Sequence, residues 1–288
     1  MNSKQRKRKI ADIVRMIVLF VAISVLLYPT VSNYLYERNS STIISDYDKI
    51  VDTASIQERE SMLAAARQYN EHLKMNQKAI VDGFIDHTIM DEEYESLLNH
   101  AGDGMMGYIS IPKIKVLLPM YHGTMEKVLQ IGTGHLMGTS LPVGGDSTHA
   151  VVTGHRGLPS KMLFTDLDQL IEGDIFYVKV LGETMAYQVD QILTVLPEET
   201  EALDIVEGQD YVTLLTCTPY AVNTHRLLVR GKRISYEEAV QKVPDTEVVP
   251  QLPYPVRLLI LAFILLIIVF VGYEVRKILR RRKEETDR

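Results

Sequence analysis

Two apolar runs near the ends of this 288-residue chain confine everything between them. Residues 13–28 carry one charge, Arg15, and residues 258–273 carry none. With their flanks, each approaches the roughly 20 apolar residues that cross a bilayer as a helix. The first run also has the outline of a signal peptide. Its end, Leu27-Tyr28-Pro29-Thr30, lacks the small residues of a cleavage site, so an uncleaved anchor is expected. Lys4, Arg6, Lys7, Arg8 and Lys9 precede the first run, and Arg276, Lys277, Arg280, Arg281, Arg282 and Lys283 follow the second. Basic flanks stay on the cytoplasmic side. Both termini are therefore expected inside a plasma membrane, with the long intervening segment outside.

That outer segment is acidic. Setting aside the 14 basic and 5 acidic residues of the termini and spans, the 31 Lys/Arg and 37 Asp/Glu of the chain fall to 17 and 32, a net charge near −15. This sign argues against nucleic-acid binding and gives no reason to expect adhesion to anionic lipid. Contact with the lipid bilayer is expected through the two spanning helices.

Between the spans the pattern changes character. Residues 34–41 read as a short linker. Residues 46–76 are helical in pattern: Ala64, Ala65 and Ala66 favour helix, and Ile50, Ala54, Ile56, Met62, Leu63, Tyr69 and Leu73 make an approximate apolar stripe. Such a helix would serve as a spacer between domain and membrane. Residues 79–85 are apolar but broken by Asp82-Gly83, a turn signal. A second short helix is expected over residues 91–99. From Gly107 onward, short β-type runs alternate with turns. Strands are expected over 108–111, 115–120, 149–153, 174–180, 184–196, 211–216 and 227–234, and short helices over 125–129 and 161–170. The spacing suggests a closed barrel or sandwich, and closure would leave few unpaired edges. Pro244, Pro250, Pro253 and Pro255 mark a linker into the second span.

The chemistry gathers around Cys217, the one cysteine of the chain. A β-branched and leucine run leads into it, Pro219 stops further ladder pairing, and a second apolar run begins after Arg226. This reads as a hairpin with an eight-residue connection between Cys217 and Arg226. Cys217 leaves one strand where Arg226 enters the next, so the two side chains can lie together at one end of a sheet. A cation beside a thiol favours the thiolate. A single cysteine has no disulfide partner within the chain. It is either a small buried hydrophobe or a reactive thiol, and the arginine at the neighbouring strand end favours the second. A cysteine nucleophile also needs a proton donor for its leaving group. Of the 8 histidines, His155 is best placed, at a strand exit with Gly154 and Gly157 about it. His225 is nearer in sequence, but strand alternation points it away from Arg226. His149 and His155 admit reading as metal ligands, yet no carboxylate or cysteine completes a known spacing. No metal and no cofactor is expected. Arg156 and Arg230 are read as structural or solvated and stand outside the catalytic set.

Thr213-Leu214-Leu215-Thr216-Cys217 resembles the TLxTC signature of the sortases. Arg226 fits the family arginine and Thr153-Gly154-His155 the family histidine. The longer strings Gly154-His155-Arg156-Gly157-Leu158-Pro159, Thr216-Cys217-Thr218-Pro219-Tyr220 and Asn223-Thr224-His225-Arg226-Leu227 look like the class C, pilus-assembling sortases of Gram-positive bacteria, and two membrane spans agree with that class. The resemblance runs from about Tyr28-Pro29 to the C-terminal anchor. It implies a mostly β, sortase-like closed barrel of about eight strands with short helices, a helical N-terminal extension and two flanking transmembrane helices. It also implies a membrane-anchored cysteine transpeptidase. Cys217 attacks the Thr–Gly bond of an LPXTG-like sorting signal, His155 handles protons, and Arg226 steadies the oxyanion. A lysine of the next pilin subunit then resolves the thioacyl intermediate as an isopeptide bond. The implied partners are pilin subunits carrying such signals and acceptor lysines.

Class C sortases carry a lid of Asp-Pro followed by an aromatic upstream of the barrel, and this chain reads Asp82-Gly83-Phe84 there. The resemblance implies that Asp82 pairs with the arginine or cysteine while Phe84 covers the thiol, on a loop that glycine leaves looser than proline would. The expected organisation is a basic tail over 1–12, an anchor over 13–31, and the helical extension with its lid over 32–104. The catalytic barrel follows over 105–242, then a proline-rich linker over 243–255, a second span over 256–273 and a basic tail over 274–288. Two other classes stay open on the residues alone: a hydrolytic cysteine protease, and a non-enzymatic two-span scaffold with an outer β-domain.

Overall fold

The computed structural model describes residues 3–75, 92–245 and 250–286. Among them the elements run α1 (Ser3–Thr53), α2 (Ile56–Met75), α3 (Glu92–Ser96), β1 (Met105–Ile111), β2 (Val116–His122), α4 (Glu126–Leu129), β3 (Thr133–His135), β4 (Thr148–Thr153), β5 (Ile175–Val180), β6 (Glu183–Val195), β7 (Asp210–Thr218), β8 (His225–Ile234), α5 (Tyr236–Lys242) and α6 (Tyr254–Thr286). The chain divides into two compact units, Met1–Tyr34 with Gln251–Arg288, and Leu35–Pro250.

The first unit is helical. The apolar part of α1 and the segment Tyr254–Tyr273 of α6 are long and apolar enough to cross a membrane. Their large side chains, such as Leu26, Val25, Leu261 and Val269, are exposed, whereas a helix of a water-soluble domain buries an apolar stripe. Phe20 and Phe263 meet edge to face, with ring centroids 4.9 Å apart.

The second unit is built on a closed barrel with strand order β1-β2-β3-β4-β7-β8-β6-β5. The β2–β3 and β4–β7 pairs are parallel and the others antiparallel. Alternation along the strands sorts side chains to two sides. Val152, Phe176, Val178, Leu214 and Val229 fill the main core. Val151, Leu215 and Leu228 face the other way and pack with Leu136 and Leu203 in a small separate cluster. At these positions β4, β7 and β8 are therefore buried on both faces.

The helices upstream of the barrel are part of its packing. Tyr47 of α1 donates to the Met106 carbonyl at 3.0 Å and accepts from the Leu181 amide at 2.9 Å. Asn70 of α2 clasps the backbone of Leu141, donating at 3.1 Å and accepting at 2.7 Å. Helix α2 thus docks on the barrel through Leu63, Ala66 and Asn70 rather than standing off as a spacer. Tyr94 of α3 is fully buried; its hydroxyl accepts from the Gly123 amide at 3.0 Å and bonds Nδ1 of His135 at 2.9 Å. His135 Nε2 lies 2.8 Å from the Ser140 carbonyl, so Nε2 carries the proton and Nδ1 accepts from Tyr94.

Four expectations need correction. Residues 34–41 are not a linker but continue α1; they contain no glycine or proline to stop a helix, and Ser40 is buried. The break falls later, where the Ser55 hydroxyl accepts from the Glu58 amide and starts α2. Residues 161–170 form no α-helix, only a short 3-10 turn at Leu167–Gln169. Leu163, Phe164, Leu167 and Leu170 are buried there one by one, and the Phe164 amide bonds the His155 carbonyl instead of a helical partner. Strand β3 went unexpected because Gly132-Thr133-Gly134 reads as a turn. Its glycines answer to close packing instead: a Cβ on Gly134 would stand 2.1 Å from the Gly123 carbonyl oxygen. Finally, β7 runs on to Thr218 and β8 starts at His225, so the hairpin loop is shorter than expected.

Gly231 of β8 lies against the stacked rings of Phe176 and Tyr187, where a Cβ would come 2.5 Å from the Phe176 ring. Gly231→Ala is expected to cost about 1–3 kcal/mol, read as a lower denaturation midpoint of the full chain. Burial pushes His135 and His149 down to about 4, against roughly 6.5 when unfolded. The unfolded chain then binds more protons between these values. Stability present above pH ~6.5 is therefore expected to fall as pH drops toward ~4, measured as a lower urea midpoint near pH ~5 than above pH ~7.

Candidate active site

The hairpin places Cys217 and Arg226 as direct partners across β7 and β8, both half-buried. Directly opposed residues of an antiparallel pair project to the same face. Cys217 continues the face of Leu215, and Arg226 that of Leu228, both members of the small outer cluster. The thiol and guanidinium thus emerge on the outside of the barrel wall, at its end. The loop is held by the Val222 and Asn223 amides, each 3.0 Å from the Pro219 carbonyl. Asn223 takes a left-handed φ of 61°, which asparagine tolerates better than most residues. Its carbonyl and that of His225 each accept from Arg226 Nη1 at 3.3 Å, which aims the guanidinium.

His155 reaches the same place by another route. The parallel ladder between β4 and β7 ends at Thr153 opposite Leu215. It is extended by the Gly154 amide on the Leu215 carbonyl at 3.0 Å and by the Thr216 hydroxyl on the Gly154 carbonyl at 2.7 Å. His155 stands two residues beyond Thr153, and Cys217 two beyond Leu215. Counted from that last pair, His155 and Cys217 are the same number of residues along their two chains. Gly154 is required here, because a Cβ would come 2.7 Å from the buried Phe164 ring. The Phe164 amide in turn holds the His155 carbonyl at 3.1 Å.

Two neighbours complete the frame: Arg156, in keeping with a structural reading, and Glu126, which sequence reading missed. Arg156, whose side chain is 8% exposed, donates from Nε to the Thr165 carbonyl at 3.1 Å and from Nη1 to the Thr218 hydroxyl at 3.1 Å, and its Nη2 pairs with Asp168. It ties the histidine loop to the residue after Cys217. Glu126 of α4 places Oε2 3.1 Å from His155 Nε2. The Gln130 amide donating to it, with His155 beside it, holds the Glu126 carboxyl below the usual range. Nothing in the sequence linked Glu126 to a histidine 29 positions away.

The other sequence candidates separate from the site. His149 is buried, with Nδ1 2.9 Å from the Asp204 carbonyl and Nε2 2.7 Å from the Thr213 hydroxyl, and burial keeps it neutral. It braces β4 against β7. His225 pairs with Thr218 across the hairpin and bonds Thr224. Arg230 chelates Asp190 at 2.8 and 3.0 Å and lies over the Tyr211 ring, in keeping with a structural reading. Asp82 and Phe84 lie outside the described residues.

An eight-stranded barrel with a thiol, an arginine and a histidine gathered at the outer end of three adjacent strands defines a cysteine-centred site on a closed β-scaffold. Residues 109–234 match the sortase domain family. The sortase C1 structure of Streptococcus agalactiae is 51% identical over 67% of this chain and 98% of its own, with a TM-score of 0.62. The Streptococcus pneumoniae sortase C structure is 46% identical over 68% of this chain and 97% of its own, with a TM-score of 0.60. The chain belongs to the sortase family, and these structural neighbours are its sortases C. It spans about half the length of the first of the curated relatives it matches, sortase A of S. agalactiae serotype III, 32% identical over 44% of this chain and 52% of that protein.

Replacing Arg156 by methionine removes the tie between the histidine loop and the end of β7. The variant is expected to lose about 1–3 kcal/mol of stability. Hydrogen exchange followed by mass spectrometry is expected to quicken at residues 155–165 and 217–224 and to stay unchanged in β5.

Proposed function

We propose that the chain is a membrane-anchored cysteine transpeptidase that cleaves LPXTG-like sorting signals between Thr and Gly and joins pilin subunits through a lysine isopeptide bond. The observation that carries this reading is the register: Cys217 opposite Arg226 on one hairpin, with His155 in the loop two residues past the end of the strand paired alongside, as Cys217 is two past Leu215. The pilin substrate specificity of the S. pneumoniae sortase C supports the substrate class.

The Cys217 sulfur attacks the threonine carbonyl carbon. The oxyanion develops beside the Arg226 guanidinium, a positively charged donor that the loop carbonyls already aim. His155 gives its proton to the departing glycine nitrogen as the C–N bond breaks, leaving a thioacyl bond on Cys217. A lysine amine of the next subunit then attacks the thioester carbonyl and passes a proton to His155. Cys217 departs as thiolate and the isopeptide bond remains. Arginine takes a place that a carboxylate holds in serine proteases, so the comparison with a Ser-His-Asp triad is one of roles.

The basic residues at both termini support a topology with the tails in the cytoplasm and the barrel outside. Asp82-Gly83-Phe84 is proposed to cover the thiol, Asp82 by pairing with the cysteine or arginine and Phe84 by apolar contact. Equal rates of thiol labelling in wild type and Asp82→Ala would remove that part of the reading.

The full-length chain in detergent micelles, given a sorting-motif peptide and a lysine-bearing pilin, is expected to yield a Cys217 thioacyl adduct and an isopeptide product by mass spectrometry. Cys217→Ala should abolish both. His155→Ala and Arg226→Ala should each lower turnover by roughly 10²–10⁴-fold. Cleavage of the peptide without any amine-dependent product would favour a hydrolytic protease instead.

A further inference from the structure

Helix α4 is a single turn, yet it is fastened to the histidine loop at two points. Glu126 Oε2 meets His155 Nε2 at 3.1 Å, and the Gln130 carbonyl accepts from Lys161, six residues further along the loop. The helix is itself fixed to the barrel. Val128 and Leu129 are buried, and the Leu129 side chain occupies the space that a Cβ on Gly134 would need. Gln130 donates its side-chain amide to Glu126 Oε1, so the carboxylate that meets His155 is oriented before any substrate arrives. The i, i+4 spacing of Glu126 and Gln130 on one helical turn makes this bond local.

We propose that Glu126 is a positioning residue for His155: its carboxylate fixes the imidazole through Nε2, so that Nδ1 is the nitrogen that exchanges protons with the leaving amine and the incoming lysine. The inference rests on the acid–base role proposed for His155. A histidine whose two nitrogens both wander offers its proton in many geometries, and a carboxylate on one of them selects the tautomer and orientation of the other. The same carboxylate stabilises the imidazolium that must be present when the amine departs.

The charged and titratable groups around His155 come from several elements. Glu126 faces it from α4, Cys217 and Arg226 belong to the hairpin, and Arg156 follows it in its own loop with Asp168 as counter-ion. Among the described residues, Glu126 is the carboxylate in contact with the ring, because Asp168 is engaged by Arg156. The pair is half open, with His155 18% and Glu126 67% exposed, so solvent and salt weaken it. The effect is therefore modest and salt-dependent, unlike loss of His155 itself.

The test compares the full-length wild type with Glu126→Gln in detergent micelles, each with histidine ring nitrogens labelled for NMR. Because Glu126 is exposed, unfolding midpoints are expected to agree. In Glu126→Gln the His155 ring-nitrogen shifts are expected to move away from the single-tautomer pattern of the wild type, since the carboxylate that selects the tautomer is gone. Isopeptide formation should lose about threefold to tenfold in kcat with KM unchanged, a small part of what general acid–base catalysis supplies. Glu126→Asp should recover part of the loss, and high salt should narrow the gap. His155 ring-nitrogen shifts that stay the same in Glu126→Gln overturn the inference whether or not the protein turns over. A wild type that turns over while Glu126→Gln matches it in kcat also overturns it. Changed ring-nitrogen shifts in a protein that forms no isopeptide product would sink the functional reading and leave the positioning of His155 by Glu126 standing.

Discussion

The parallel pairing of β4 with β7 is the constraint on which the site depends. Within the hairpin, Cys217 and Arg226 need only a short loop to find each other. His155 lies 62 residues before Cys217 in sequence, and only a shared ladder sets its loop alongside the strand of the thiol. That ladder is long: six residue pairs run from Thr148 opposite Asp210 to Thr153 opposite Leu215. A parallel pair needs a crossover connection, and here residues 154–209 supply it, including β5 and β6 on the far side of the barrel. The barrel is thus the device that brings the loop of a distant histidine to the strand that carries the thiol. At its Thr153 end the ladder is continued by backbone and hydroxyl bonds at Gly154 and Thr216, so the two segments stay together past the last formal pair.

Around this pairing, immobility comes from packing that reaches the site from behind. Phe164 leaves no room for a side chain at Gly154 and binds the His155 carbonyl with its own amide. Arg156 pulls the same loop toward Thr218. His149, neutral because it is buried, joins β4 to β7 through Thr213. Each of these groups acts on backbone placement, and none needs to approach a substrate. Cys217 and Arg226 themselves are half-buried at the end of the hairpin.

Much of this was legible in the sequence, for physical reasons that differ between elements. The two apolar helices show because a nearly uncharged apolar run approaching the width of a bilayer has few other uses. The barrel strands show because β-branched alternation repeats between turns. The hairpin shows because Pro219 stops a ladder that Arg226 restarts, and that put thiol and cation together without any further knowledge. What stayed hidden depends on tertiary contact. Gly132 and Gly134 look like turn residues but are strand residues compressed against other backbones. Residues 161–170 carry helix-like apolar spacing, yet their apolar side chains anchor a loop. Arg156 reads as structural or solvated, and what decides for the first, its three partners, lies 9, 12 and 62 positions away. Glu126 belongs to a four-residue helix whose orientation only the barrel decides.

The clasp of Asn70 on Leu141 has a wider meaning for where this domain begins. Together with Tyr47 and Tyr94, it supplies the hydrogen-bonding partners of main-chain groups at Leu141, Met106, Leu181 and Gly123, all of them inside the barrel portion. Cutting the chain just before β1 would leave those amides and carbonyls without their partners and would open apolar surface where Leu63, Ala66 and Val51 had covered it. The smallest self-sufficient piece therefore starts within α1, well ahead of the strands, and the barrel and its helical arm would melt as one cooperative body rather than in sequence.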